Sequence, residues 1–89
     1  MKTVAIDCAA IADRAAFHDA FSQALHFPDW YGRNLDALHD LLTAVSEETT
    51  LRLAHWDAAE SALGHYAHAA KRAMTHAAGK NPKLTVEYC

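Results

Sequence analysis

Three short stretches of this chain alternate apolar and polar residues: KTVAIDC (Lys2–Cys8), TLRLAH (Thr50–His55) and KLTVEY (Lys83–Tyr88). Each reads as a strand, and what lies between them constrains the fold more than any other feature. The intervals carry helical patterns and are far too long for hairpin turns, so neighbouring strands must return through crossovers and pair in parallel. Right-handed crossovers are expected. The sequence therefore predicts an α/β fold, a small three-stranded parallel sheet packed with three to four helices, as one domain over residues 1–89.

The helical intervals have their own punctuation. Asp13 can cap a segment that puts Phe17, Phe21, Ala24 and Leu25 on one face, with Pro28 ending it or following closely. Asn34 can cap a second segment, whose stripe is Leu35, Leu38, Leu42 and Val45 with Leu41 beside it. Asp57 opens a long alanine-rich region toward Ala78, with Leu63, Tyr66, Ala70 and Met74 at core positions. Gly64 lies inside it, so the region reads either as one helix or as two divided there, and Gly79 and Pro82 end it. About twenty alanines favour helix but leave the core short of volume. Phe17, Phe21, Leu25, Leu38, Leu42 and Leu63 are expected to carry much of the burial.

Several functional classes are set aside by what the chain lacks. The opening MKTVAIDC has neither the apolar run nor the cleavage site of a secretory signal, and no stretch is apolar for long enough to cross a membrane. Cys8 and Cys89 show no metal spacing and read as free thiols of a reducing cytoplasm, with a bond between them as the lesser alternative. There is no GxGxxG, P-loop, GxSxG or CxxC, so neither a cofactor nor a nucleophile is implied. Seven histidines are more than usual, but His65 and His68, one helical turn apart, and His76 further along read as solvated helix-surface residues.

Charge is unevenly spread. Between Asp29 and Glu60 the acids are Asp29, Asp36, Asp40, Glu47, Glu48, Asp57 and Glu60, against Arg33 and Arg52. An acidic middle repels nucleic acid and attracts a basic partner. Within it lies PDWYGRNLDALHDLL, where two aromatics and a glycine precede a helix carrying Asp36 and Asp40. Asp36 suits the helix dipole, but Asp40 faces the same way one turn later, and like charges at that spacing cost roughly 0.2–0.5 kcal/mol. Thr43 and Glu47 continue the line. Tyr31 is expected to cover the core, Trp30 to stand more exposed beside the carboxylates, and Gly32 to allow a positive φ or a close approach. Paired carboxylates can serve as acid and base, but that chemistry needs a cleft, which one helical face scarcely offers. Asp36, His39 and Asp40 could reach a metal by spacing, without the carboxylate-rich or Cys/His-rich set such sites use.

Pro28, Tyr31, Gly32, Asn34, Leu35, Asp36, Ala37, Leu38, Asp40, Leu42 and Thr43 resemble the central motif of the barstar family, intracellular inhibitors of barnase-like ribonucleases. Outside the motif the likeness is one of element order, including a closing strand with Thr85. The resemblance implies a non-enzymatic, cytoplasmic, immunity-type protein whose second helix and preceding loop plug the active site of a guanyl-specific or barnase-like ribonuclease. In that picture Asp40 takes the place of substrate phosphate, Asp36 pairs with a neighbouring cation and Trp30 packs on the catalytic histidine. Gly32 and Asn34 supply backbone and polar contacts and Thr43 a rim contact, with Tyr31, Arg33, Ala37 and Glu47 in the same patch. Three positions depart from the family's namesake: His39 replaces a large aromatic, and His76 and Lys80 stand where acids are usual. A ribonuclease different from barnase is the implied partner, bound one to one by a chain that is monomeric when free, with no nucleic-acid or membrane partner. The alternative is a barstar-like module for some other basic partner or toxin.

Overall fold

Strand pairing is parallel throughout the computed structural model, which describes residues 2–89: β1 (Lys2–Asp7), β2 (Thr49–Ala54) and β3 (Leu84–Tyr88) lie in the order β1-β2-β3. The register places Val4, Leu51 and Val86 side by side, then Ile6, Leu53 and Tyr88, and this row faces the helices. The other face carries Thr3, Thr50 and Thr85, then Ala5, Arg52 and Glu87, with Arg52 Nε 3.1 Å from Glu87 Oε1. Parallel sheets are usually covered on both faces and read as continuous apolar runs. Here the helices cover one face, which explains why the strands alternate.

Four α-helices form the second layer: α1 (Arg14–Leu25), α2 (Leu35–Thr43), α3 (Trp56–Leu63) and α4 (His65–Lys80). Asp13 caps α1 by accepting a hydrogen bond from Ala16 N–H, and Asn34 caps α2 by accepting one from Ala37 N–H at 2.7 Å. Gly64, at φ 58°, divides α3 from α4, which decides between the one-helix and two-helix readings of this region. Other boundaries differ from expectation. Cys8 leaves the strand for a 3-10 turn over Cys8–Ala10, β2 ends at Ala54, and α3 starts at Trp56 behind a left-handed His55. Gly79 does not stop α4, which continues to Lys80.

The core is built around Phe17, Phe21, Leu38, Leu42, Leu51, Leu53 and Met74, all fully buried. Leu25 and Leu63 are only half-buried, and their expected share falls to Trp56, whose ring meets Tyr88 edge-on. Alanines at 67, 70 and 77 with Met74 make the buried stripe of α4, and small side chains let neighbouring helices approach closely. Both cysteines are free thiols. Cys8 is buried, which pushes its thiol up to about 11, while Cys89 is exposed. No helix of the described residues is long and apolar enough to cross a membrane.

One polar residue ties α2 to the layer. Asn81, nearly buried between α4 and β3, donates from its amide nitrogen toward the carbonyls of Leu42, Thr43 and Val45, and its oxygen accepts from Lys83 N–H. The Leu42 and Thr43 carbonyls belong to the last turn of α2, where the helix runs out of backbone donors, and Val45 follows it; Leu42 C=O also accepts from Val45 N–H at 3.3 Å. Asn81→Leu is expected to lower stability by roughly 1–3 kcal/mol, the cost of leaving buried acceptors unmade. A denaturant midpoint within error of wild type at unchanged m-value would contradict this.

Candidate functional site: an acidic helix face and the loop before it

The loop before α2 splits its two aromatics. Tyr31 is 6 % exposed and Trp30 is 76 % exposed, the largest apolar side chain the described residues leave in solvent. Tyr31 N–H closes a turn onto Pro28 C=O at 2.9 Å, and its ring packs on Phe27 with centroids 4.8 Å apart. The Tyr31 ring therefore supports the patch from beneath, as expected of a residue that covers the core. Burial, with the neighbouring Tyr66, pushes its phenol above the ordinary range.

Beneath the loop lies a group that sequence reasoning missed. His18 on α1 is 2 % exposed, with Nδ1 2.6 Å from Tyr31 Oη and Nε2 2.6 Å from Tyr66 Oη. A neutral imidazole has one donor and one acceptor nitrogen, so one tyrosine donates to the ring and the other accepts from it. Burial holds His18 below the usual histidine range, and the Arg33 charge acts in the same direction. The signal was present: His18 falls on the stripe of Phe17, Phe21 and Leu25, and a polar residue on an apolar stripe requires partners.

Of the two uses expected of Gly32, a positive φ or a close approach, the structure has the close approach. The left-handed backbone is at Arg33, φ 55°, while a Cβ on Gly32 would lie 3.2 Å from Asn34 Nδ2 and 3.4 Å from Ala37 Cβ. Glycine at 32 thus permits close approach to the start of α2. Arg33 is tied to α1, its guanidinium donating to Asp19 at 2.5 Å and to Ala15 C=O at 3.2 Å. Arg52 is likewise engaged with Glu87. Both arginines of the acidic middle are thus matched by acids outside it. Among the described residues, no Lys or Arg pairs with Asp29, Asp36, Asp40, Glu47 or Glu48.

Asp36 and Asp40 stand exposed on α2, and the Asp40 side chain is 85 % exposed. Thr43 is half-buried, its hydroxyl donating to Asp40 C=O at 2.8 Å; Ala37 is half-buried and Glu47 is exposed in the loop after α2. His39 crosses to α4, with Nε2 2.8 Å from His76 Nδ1 and Nδ1 3.8 Å from Asp40 Oδ1. The structure brings Asp36, His39, Asp40 and His76 together, whereas His65 and His68 stay exposed on α4. Among the described residues no three His, Cys, Asp or Glu side chains are grouped to hold a metal. What the face can do is present fixed negative charge on a helix capped at one end by Asn34 and held at the other by Asn81, with an exposed indole in the loop that leads into it.

Comparison with known proteins agrees with the resemblance noted from the motif. A family model described as Barstar (barnase inhibitor) matches residues 1–88. A protein of Bacillus subtilis (strain 168), named "Putative ribonuclease inhibitor YrdF", is 41 % identical over 68 residues, covering 75 % of each chain. With three parallel strands in sequential order, four helices on one face and the motif at the start of α2, this chain belongs to the barstar family.

Proposed function

We propose that this protein inhibits a basic, barnase-like ribonuclease by inserting α2 and its preceding loop into the nuclease's active site. It catalyses nothing itself. The observation that carries this reading is the exposed pair Asp36 and Asp40, ion-paired with no Lys or Arg among the described residues, together with the exposed ring of Trp30 in the loop that leads into their helix. A nuclease that holds RNA must concentrate cations where phosphate binds, and carboxylates on a rigid helix can meet them through charge-assisted hydrogen bonds. Asp40 takes the phosphate's place, Asp36 meets a neighbouring cation, and Trp30 covers an adjacent ring or apolar wall. Gly32 lets the backbone approach, and Asn34, Thr43 and Glu47 lie at the rim. The net charge of −3 adds steering toward a cationic partner.

The test is inhibition of RNA cleavage. The protein is titrated into barnase and into other small basic microbial ribonucleases of the guanyl-specific class, with a fluorogenic RNA substrate as readout. Cleavage should fall to a one-to-one endpoint with at least one of them. The association rate should drop as salt is raised through about 0.15 M, where charges more than about 8 Å apart become screened. Failure to inhibit any of the set would remove the reading.

A further inference from the structure

The His39–His76 contact has a polarity that its neighbours decide. The ring planes lie 25° apart and the centroids 5.0 Å apart, while the facing nitrogens are 2.8 Å apart. Nearly coplanar rings meeting through their nitrogens form an edge-to-edge hydrogen bond. One nitrogen must carry the proton and the other a lone pair. If His39 Nε2 donated, its Nδ1 lone pair would face the Asp40 carboxylate 3.8 Å away, which is repulsive. If His76 Nδ1–H donates, His39 Nδ1–H points its positive end at Asp40 and every contact is attractive. That arrangement leaves the lone pair of His76 Nε2 directed away from the pair, on an exposed residue.

The other charged groups of this concavity are Asp36 on α2 and Arg72 on α4. A first extra proton can enter the pair at the free lone pair of His76 Nε2. With that proton the bond survives, but His76 Nε2 turns from acceptor to donor. With a second, both facing nitrogens carry hydrogens and the bond must open.

The geometry points to His39 and His76 as a specificity-determining unit of the partner face: neutral, the pair accepts a hydrogen bond at His76 Nε2 from a donor on a cationic protein partner, and it loses that partner on taking up protons. This rests on the occlusion reading for the partner's identity, and on this chain's own rings for the polarity. A partner presenting a carboxylate at the same point would require the protonated pair and would show the opposite pH dependence.

Two measurements decide it. Long-range proton–nitrogen NMR of the free protein at about pH 8, above the range where histidine changes charge, should show both rings protonated on Nδ1. A His39 ring protonated on Nε2 would overturn the polarity whatever the partner proves to be. Binding of barnase, or of the ribonuclease that the inhibition assay identifies, is then compared between about pH 8 and pH 5.5, with His68→Gln on the far part of α4 as control. Wild type and the control should weaken more steeply on acidification than His39→Gln or His76→Gln, by up to about tenfold per pH unit for one linked proton. The nuclease's own titrations are common to every variant and cancel. Equal pH slopes for all four proteins would overturn the linkage while leaving inhibition intact. Absence of a complex with any ribonuclease would instead overturn the partner assignment, whichever tautomers the spectra show.

Discussion

Asp40→Ala is expected to weaken the ribonuclease complex by roughly 3–4 kcal/mol, about 100- to 1,000-fold in Kd, because the nuclease's phosphate-binding cations would remain buried without a counter-charge. Glu60→Ala on α3 is expected to change Kd by less than about threefold, like other substitutions away from an interface core. The comparison is informative because the two variants remove the same charge from a molecule carrying −3. Long-range steering should therefore fall by a similar factor in both, appearing as a modest loss of association rate. Only a residue in direct contact also raises the dissociation rate, so stopped-flow association and competition-monitored dissociation separate field from contact. Stability supplies a second control. Asp40 has no Lys or Arg partner in the free protein and shares its helix face with Asp36, so removing it should leave thermal unfolding unchanged or slightly improved. Equal loss of affinity in the two variants, through dissociation alike, would sink the assignment of Asp40 to the centre of the face.

Much of this face was legible because its signals are local. A cap is a bond between residues three apart, so Asp13 and Asn34 could be read from position and chemistry alone. The strands were legible for a less usual reason. Alternation ordinarily indicates a sheet with one wet face, and long helical intervals indicate parallel pairing. Both hold here because all four helices lie on one side. What sequence reading missed spans longer distances. His18 finds Tyr31 and Tyr66, Arg33 finds Asp19, and Asn81 finds the end of α2, at separations of 13 to 48 residues. Nothing in a local window names such partners. Gly32 serves the close approach that was one of its two expected uses, while the positive φ is at Arg33, a residue tied to α1 by partners 14 and 18 residues away. Gly79 misled because one glycine inside a well-packed helix costs only about 1 kcal/mol relative to alanine, which the surrounding contacts of α4 exceed.

The buried histidine gives the second large effect. His18→Phe keeps an aromatic ring against Phe17 but strips the hydrogen-bond partner from two tyrosine hydroxyls. Tyr66 is half-buried and can turn toward water, whereas Tyr31 is sealed under the loop. The expected loss is roughly 2–4 kcal/mol, from one stranded hydroxyl and two missing bonds. The pH dependence carries the sign. Burial lowers the folded-state pKa of His18, so the unfolded chain binds a proton more readily than the folded one. The contribution of neutral His18 is therefore complete above the unfolded value of about 6.5 and declines as pH falls below it, until the lower folded-state value is passed. Asp7, whose carboxyl is held low by Ala9 N–H and then by His55, acts in a separate window below about pH 4. Denaturant melts of wild type across pH 7 to 5 should show the decline, and His18→Phe should be less stable throughout but flatter across that interval. A wild-type curve already flat there would mean that His18 is not held neutral by its surroundings. Because Trp30 immediately precedes Tyr31, a loosened Tyr31 should also weaken ribonuclease binding in proportion to the loop's disorder. Tyr31→Phe, which keeps the ring and loses only the hydroxyl, should then fall between wild type and His18→Phe in both stability and affinity. A variant that lost stability without losing affinity would show that the exposed indole keeps its place independently of the network beneath it.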